Sequence, residues 1–389
     1  MRTNLALSNI LHSLSKTTVS LSGIGVAIVL IFMQLGFRGA VESTATTIYD
    51  SMEFDLAIRS PNYLHFVEPG AVSKNVLREI AGFSDVDSVM PFHVTLAGWR
   101  NPSGDNLRGV MMMGIDPKNA PFVSPKIVAD FGQLADSQSV LMDVKSQREF
   151  GPLDGVTFKR ADVGREAELS RKRVQIAGLF ELGAGLTANG SVITTEDGFA
   201  RLDPGSSGET VSFGLIRLKD GVDAADFIAR LQSRWQSTSG TAEVEFFDRR
   251  EVNRRELHRW IGETPIGFVF TLGVLISFIV GAAIFYMVLA TDVANRMTEY
   301  ATLKAMGYSD FKLSMFVLKQ ASYLSLFAFV PSLVAALICY GITATLANIP
   351  ITMTIERVLF VFLLTQLMCG FSGALAIRKL YRAEPAALF

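Results

Sequence analysis

One uncharged run decides the fold: FVFTLGVLISFIVGAAIFYMVLA, residues 268–290. It lies inside a longer uncharged segment, Thr264 to Thr291, which exceeds the roughly 20 apolar residues that a helix needs to cross a bilayer. Three further uncharged segments have the same character: Thr17 to Phe37, Gln320 to about Thr345, and Val358 to Ile377. The sequence therefore predicts four transmembrane helices.

The four predicted spans are unevenly placed, with one near the start and three in the last third of the chain. Residues 38–263, between the first and second spans, have the composition of a globular domain. This stretch carries 26 Lys and Arg against 32 Asp and Glu, whereas the rest of the chain carries 10 against 5. An acidic insertion with basic flanks lacks the clustered positive charge that nucleic-acid binding requires.

The first span is predicted to be a retained helix rather than a cleaved signal peptide. Its run of 21 residues is longer than the roughly 7–15 residues of a signal-peptide core. In residues 1–16, Leu5, Ile10, Leu11 and Leu14 fall roughly on one helical face. This pattern predicts an amphipathic elbow helix on the cytoplasmic surface.

The basic residues of the short loops predict the orientation in the membrane. Residues 1–16, the loop at 292–319 and the tail at 378–389 together contain nine of them, whereas the short loop between the last two spans contains Arg357 alone. The nine are Arg2, Lys16, Arg296, Lys304, Lys312, Lys319, Arg378, Lys379 and Arg382. Because Lys and Arg concentrate in cytoplasmic loops, both termini are predicted to be cytoplasmic and residues 38–263 extracytoplasmic.

The insertion alternates predicted strands and helices. Val211 to Leu218 predicts a strand, Asp223 to Trp235 a helix with an apolar stripe, and Ala242 to Phe247 a second strand. An earlier stretch, Phe54 to Trp99, has a similar strand–helix–strand pattern, so we expect two similar α/β lobes. Ser139 to Thr195, between them, predicts mainly strands and loops.

Two helices are expected to connect the insertion to the membrane. Arg38 to Met52 can continue the first span as a helix, and Arg249 to Glu263, rich in Arg and Glu, runs straight into the second span. Side by side they would form a stalk that transmits motion, because a helix is a stiff rod with a rise of about 1.5 Å per residue. The predicted fold is an α-helical membrane domain with four transmembrane helices (1 + 3) and a large α+β extracytoplasmic domain inserted between helices 1 and 2.

The residues predict neither catalysis nor a metal centre. Both cysteines, Cys339 and Cys369, lie in predicted spans, the four histidines are scattered, and there is no Walker A sequence. Ser309 and Lys312 have the spacing of a Ser/Lys pair, but a serine just after Gly307 is typical of a new helix start. The chain is therefore predicted not to be an enzyme and to hold no cofactor.

The loop at 292–319 carries the most distinctive sequence, DVANRMTEYATLKAMGYS at residues 292–309. Thr298 to Met306 predicts a short helix, whose apolar side chains Tyr300, Leu303 and Met306 we expect to enter a groove on a partner protein. The residues alone leave open that this helix instead lies on the lipid headgroups. The candidate docking residues, with the charged rim and the glycine that ends the helix, are Arg296, Glu299, Tyr300, Leu303, Lys304, Met306 and Gly307.

These residues carry a family resemblance. EYATLKAMG, residues 299–307, resembles the cytoplasmic loop of the FtsX/MacB-like ABC permeases, and the ending, residues 378–389, is similar to that family's basic tail with its acid–Pro pair. Three further stretches resemble the DevC branch of the family: FMQLGFR at 32–38, DLAIRSP at 55–61 and MGIDP at 113–117. The resemblance covers essentially the whole chain.

The resemblance implies a membrane subunit of a tripartite exporter in the inner membrane. Such permeases work as dimers, each with a separate cytoplasmic ABC ATPase subunit that binds the ATP. DevC-like permeases also work with a periplasmic adaptor (a membrane fusion protein) and a TolC-like outer-membrane duct. The loop residues would then dock the ATPase, whose movement would pass up the stalk and expel cargo; glycolipid is the branch's best-known cargo class.

Two other classes of function remain compatible with the residues. A membrane-anchored sensor or receptor with a periplasmic ligand-binding domain would share the stalk, but the longest predicted cytoplasmic loop has only 28 residues. A membrane-bound enzyme would need a clustered nucleophile, metal ligands or an acid/base pair in the insertion. The exporter permease is therefore the prediction.

Overall fold

The structure is a computed structural model of the chain. It describes residues 14–104, 106–153, 155–183, 188–237, 244–346 and 349–381. Residues 1–13 of the predicted elbow helix and residues 382–389 of the predicted tail lie outside the described residues. The chain divides into two compact units, a membrane unit (Met1–Val41 with Ile261–Phe389) and an inserted unit (Glu42–Trp260).

Long helices lie near both ends of the described chain, and the strands lie between them together with shorter helices. The α-helices are α1 (Leu14–Asp50), α2 (Lys74–Ala81), α3 (Pro125–Val128), α4 (Glu196–Leu202), α5 (Ala224–Ser237), α6 (Arg249–His258), α7 (Pro265–Asn295), α8 (Met297–Ala305), α9 (Asp310–Leu346) and α10 (Ile355–Tyr381). The strands are β1 (Leu56–Arg59), β2 (Val72–Ser73), β3 (Val86–Arg100), β4 (Leu107–Ile115), β5 (Ser139–Asp143), β6 (Glu166–Leu169), β7 (Lys172–Phe180), β8 (Ser191–Thr195), β9 (Thr210–Val211), β10 (Phe213–Leu218) and β11 (Glu245–Asp248).

The four predicted membrane helices are confirmed. Helices long and apolar enough to span a membrane run over Leu21–Asp50, Pro265–Asn295, Phe311–Leu346 and Ile355–Ile377. A continuous helix bonds its own backbone groups internally, which a bilayer requires of any segment that crosses it.

The larger apolar core of the membrane unit receives side chains from α1, α7, α9 and α10. Phe32 of α1 is fully buried, and its ring centroid lies 5.9 Å from that of Phe329 in α9. One turn further along α1, a Cβ at Gly36 would lie 2.3 Å from the Tyr340 hydroxyl oxygen, so only glycine allows this approach. Tyr340 uses the space to donate a hydrogen bond to the Phe32 carbonyl.

The charged helix before the second span does not run straight into it, contrary to the prediction. The α-helix α6 ends at His258, a π-helical turn follows at Arg259–Glu263, and Thr264 is extended with φ −91° and ψ 154°. The physical reason is Pro265, which lacks an N–H group and disfavours helical backbone in the residue before it. By contrast, α1 does continue past the first span as predicted.

The inserted unit contains one lobe where two similar α/β lobes were predicted. The strand–helix–strand units β1–α2–β3 and β10–α5–β11 interleave in a single four-stranded sheet with the order β11-β1-β10-β3. Each crossover skips one strand, and the other unit fills the gap, which is the split βαβ arrangement. The prediction was wrong because strand pairing between distant segments leaves no local signal in the sequence.

The second half of the inserted unit is a closed barrel built from the strand-rich stretch predicted at Ser139 to Thr195. Val86–Phe92 of β3 pairs with β10, and His93–Arg100 of the same strand pairs with β4. The remaining strands follow in the order β4-β8-β5-β7-β6, and β6 pairs back with β3. The barrel interior is apolar, and its largest side chain, Trp99, is fully buried and donates from Nε1 to the Phe150 carbonyl at 3.0 Å.

A two-residue turn, Ser170 and Arg171, joins β6 to β7. Leu169 pairs with Lys172, and the two residues between them have positive φ, 50° at Ser170 and 62° at Arg171. Positive φ at both central residues defines a type I′ hairpin turn, whose twist matches the flanking strands. For an L-residue other than Gly, Asn or Asp this conformation costs roughly 1–2 kcal/mol.

Replacing Arg171 by glycine should therefore stabilise the protein by about 0.5–1 kcal/mol, since the lost steric cost exceeds the extra backbone entropy of glycine when unfolded. Thermal unfolding of the full chain in detergent measures the change. Lys172→Gly, one position later within β7, is the matched control and should lower the melting temperature. An unchanged or lower melting temperature for Arg171→Gly would contradict the strained turn.

Candidate functional site

The predicted docking helix is present as α8. It begins at Met297, one residue before the predicted start, and ends as predicted before Gly307, which has φ +90°. The Gly307 N–H donates to the Lys304 carbonyl at 3.0 Å, and the Tyr308 N–H donates to the Leu303 carbonyl at 3.1 Å. This pair of bonds is a Schellman motif, in which a left-handed glycine lets the last carbonyls of a helix find donors.

Tyr300 is not available to a partner, contrary to the prediction. Its side chain is only 7% exposed and packs in a cluster with Val293 of α7, Leu313 and Val317 of α9, and Ile377 of α10. Leu303 is partly buried against the same cluster. Burial raises the pKa of Tyr300 to about 12, so the phenol is protonated at physiological pH. The apolar residues of α8 thus hold it against the ends of three long helices.

A different set of apolar side chains faces outward. Met306 is 64% exposed and Phe311 is 71% exposed, and Tyr308 and Met315 are also exposed. We call these four residues the docking face. Only Met306 belonged to the predicted site, because the predicted docking helix ended at Gly307 and the helix expected to start near Ser309 was given no part in docking. The spacing of Phe311 and Met315, four residues apart on α9, is the signal that could have indicated them.

The charged candidates are unevenly placed. Arg296 is largely buried, and its Nε lies 3.2 Å from Asp292 Oδ1 and its Nη1 3.7 Å from Glu299 Oε2. Glu299 is exposed and Lys304 is half-buried. Lys312, which was not in the predicted site, places its Nζ 5.8 Å from the ring centroid of Tyr308. Lys312 thus places a positive charge beside the docking face, whereas Arg296 supports the loop from inside.

A second notable cluster lies in the inserted unit around Glu256 of α6. This carboxylate is 2% exposed and accepts a hydrogen bond from the Tyr63 hydroxyl, which lies 3.4 Å from the hydroxyl of Tyr49 in the last turn of α1. The Arg59 guanidinium stacks over the Tyr63 ring at 4.4 Å, and Arg259 stacks over the same ring at 5.4 Å. The cluster fastens α6 to the segment after β1 and to the end of α1.

Burial raises the pKa of the Glu256 carboxyl, because removing a carboxylate from water disfavours its charged form. The hydrogen bond from Tyr63 and the positive charges of Arg259 and Arg59 act in the opposite direction and offset only part of this effect. No local sequence pattern indicates the cluster, since its members are dispersed between residues 49 and 259. A Glu in an Arg-rich helix ordinarily indicates an exposed side chain.

Two family models match the chain. The MacB-like periplasmic core domain matches residues 17–234, which is more than half of the chain, and the FtsX-like permease C-terminal model matches residues 270–385. The chain belongs to the FtsX/MacB-like ABC permeases. It is therefore a transmembrane subunit of an ABC transporter and a multi-pass protein of the inner membrane. The docking face lies within the part matched by the second model.

Solved structures of related periplasmic or extracellular regions resemble the permease weakly. The periplasmic region of MacB from Actinobacillus actinomycetemcomitans is 10% identical with a TM-score of 0.37, over 53% of this chain and 94% of that chain. The extracellular domain of the noncanonic ABC-type transporter YknZ from Gram-positive bacteria is 13% identical with a TM-score of 0.35, over 50% and 98%. No curated protein sequence matches significantly. The family assignment rests on the two family models.

The raised pKa of Glu256 predicts a pH-dependent stability. A folded-state pKa above the unfolded value means that the folded permease holds this proton more tightly. The stabilisation is therefore complete below the unfolded pKa of about 4.3 and is lost as the pH rises through the folded pKa. Each pH unit by which the folded pKa exceeds the unfolded one corresponds to about 1.4 kcal/mol.

Glu256→Gln keeps the size and an acceptor oxygen but cannot titrate. The melting temperature of the wild type should fall relative to this variant as the pH is raised from 4 through neutrality, and thermal unfolding at stepped pH measures the difference. Glu251→Gln, one turn and a half earlier on α6, controls for general charge effects. Parallel pH curves for the wild type and Glu256→Gln would show that Glu256 does not titrate as its burial requires.

Proposed function

We propose that this permease subunit belongs to an ATP-driven exporter and receives a separate cytoplasmic ATPase subunit at the docking face. The observation that carries the proposal is the exposure of Met306 and Phe311 beside charged residues, at the junction of a short capped helix and a long membrane helix. Large apolar side chains at the centre and charges at the rim are the composition of a protein-docking surface.

The packing of α8 supports transmission of force from such a partner. Through Tyr300 and its cluster, α8 contacts the ends of α7, α9 and α10. A partner that displaces α8 would thus act on three membrane helices at once. A helix lying freely on lipid headgroups, the alternative left open by the sequence, would not need these contacts.

The remainder of the proposed cycle follows the family resemblance. The permease would act as a homodimer, and the movement would reach the inserted unit through α1, which is one uninterrupted helix of 37 residues. Cargo would then leave through a periplasmic adaptor and a TolC-like outer-membrane duct. The DevC-like stretches, of which residues 55–61 include β1 and residues 113–117 include the end of β4, favour glycolipid as the cargo class.

The proposed orientation places both termini and the docking face in the cytoplasm. In a background with Cys339→Ala and Cys369→Ala, Ser207→Cys should react with a membrane-impermeant maleimide in spheroplasts. Ser309→Cys should react only after the membrane is permeabilised, since both serines are exposed but would lie on opposite sides. Labelling of Ser309→Cys in intact spheroplasts would reverse the orientation.

Loss of the apolar anchors should abolish ATPase binding. The double variant Met306→Asp with Phe311→Asp should weaken capture of the ATPase subunit from gently solubilised membranes by roughly thirtyfold or more, because truncating a binding anchor costs at least about 2 kcal/mol. Quantitative mass spectrometry of the co-purified proteins measures this. Variants of Tyr300 or Leu303 would be poor tests, since these side chains pack against the permease itself.

The matched control is Leu346→Asp at the opposite end of the same helix α9, where the side chain is 83% exposed. It should leave ATPase capture at the wild-type level, and both the double variant and this control should remain in the membrane fraction after alkaline washing. Retained capture by the double variant, with normal insertion, would refute the docking face as the ATPase site.

A further inference from the structure

Asp292 is the only charged residue in α7, and both of its carboxylate oxygens are engaged. Oδ1 accepts a hydrogen bond from Arg296 Nε at 3.2 Å, and Oδ2 accepts one from Gln320 Nε2 at 2.6 Å. Gln320 lies on α9, so this carboxylate links two membrane helices where their uncharged runs begin and end. We call Asp292, Arg296 and Gln320 the Asp292 clamp.

Arg296 stands at the break between α7 and α8. It is both the C-cap residue of α7 and the N-cap residue of α8. Its backbone has φ −106° and ψ 16°, which is not helical. The direction in which α8 leaves α7 depends on this one residue. Asp292 lies one turn before Arg296 on α7 and accepts the hydrogen bond from its side chain. The carboxylate therefore restrains the break from the side of α7.

Gln320 adds the second restraint, from α9. Hydrogen bonds to a charged group are stronger and more directional than those between neutral groups, and they strengthen where water is scarce, as at the edge of the membrane. The Tyr300 cluster also contacts α9, but apolar packing tolerates sliding that a hydrogen bond does not. The clamp thus links the α7–α8 break to α9 at Gln320, about three turns from the start of that helix.

We infer that Asp292, together with Gln320, is a positioning residue for the docking helix α8, and that it couples displacement of α8 to α7 and α9. This inference rests on the proposed function, because it assigns the clamp a part in the response to the ATPase. The clamp contains no residue of the docking face. Removing the clamp should therefore leave the binding of the ATPase subunit unchanged while lowering the effect of the permease on its rate of ATP hydrolysis.

The test uses the full permease in lipid vesicles with the ATPase subunit that the wild-type chain captures. Two quantities are measured: the dissociation constant of the ATPase subunit, and the factor by which the permease changes its rate of ATP hydrolysis. For Asp292→Asn and for Gln320→Leu, the dissociation constant should stay within about twofold, while the rate factor should fall about tenfold, within the usual range of coupling between sites.

Three further variants distinguish a positioning role from general weakening of the helix bundle. Asp292→Glu keeps the carboxylate and should restore at least half of the rate factor. The double variant Asp292→Asn with Gln320→Leu should be no worse than Asp292→Asn alone, because both changes remove the same link. Gln366→Leu is the matched control, since Gln366 Nε2 on α10 donates to Ser325 Oγ on α9 at 3.0 Å and neither residue belongs to the clamp. It should keep the wild-type rate factor.

Distinct outcomes overturn distinct statements. If the wild-type permease binds no ATPase subunit, the proposed function fails, and the role of the clamp fails with it. If the wild type binds and stimulates an ATPase but the clamp variants do so equally well, the clamp alone is overturned. The inferred role of the clamp is also overturned if its variants weaken binding of the ATPase subunit by the same factor by which they lower the rate factor. The same holds if Gln366→Leu lowers the rate factor as much as Gln320→Leu.

Discussion

The absence of hydrogen-bonding partners inside a bilayer is the constraint on which the rest of this structure depends. Every backbone group of a spanning segment must be bonded internally, so the chain crosses as long helices, and hydroxyl groups within them bond to nearby carbonyls. Thr365 donates to the Val361 carbonyl at 2.8 Å, and Ser372 donates to the Ala282 carbonyl at 2.7 Å. Charged groups are disfavoured inside the bilayer, and Asp292, the one charged residue of α7, lies in its last turn with its carboxylate bonded to Gln320.

The features that the sequence predicts well are those determined by neighbouring residues. Uncharged runs longer than a bilayer is thick can form little else than spanning helices, so the four spans follow from local composition. Gly307 marks the end of α8 for a similar reason, since φ +90° is costly for other residues. The helix of the strand–helix–strand pattern predicted at Phe54 to Trp99 is also present as α2, with Val76, Leu77 and Ile80 buried on one face.

The features that it predicts poorly depend on segments that are distant in the chain. Nothing near β1 indicates that β10, more than 150 residues later, will fill the gap between β1 and β3. The residues next to Tyr300 in the sequence indicate a docking anchor on a short helix. Its side chain is buried because it packs against Leu313, Val317 and Ile377, which are distant in the chain or on another helix. The docking face follows from the same packing, because Met306 and Phe311 are what remains exposed once Tyr300 is covered.

Two carboxylates occupy comparable places in the two units, and their chemistry explains why acids rather than apolar residues stand there. Asp292 restrains the break after α7, and Glu256 restrains α6 through Tyr63. Apolar contacts are non-directional, so a helix held by them alone can rotate or slide at little cost. A displacement applied to one end of such a helix is then only partly transmitted to the other end. A carboxylate held by specific donors allows few positions, because its hydrogen bonds weaken steeply with distance and angle. Under the proposed function, in which the permease passes on displacement, carboxylates at such places are favoured even where burial makes the charge costly, as it does at Glu256.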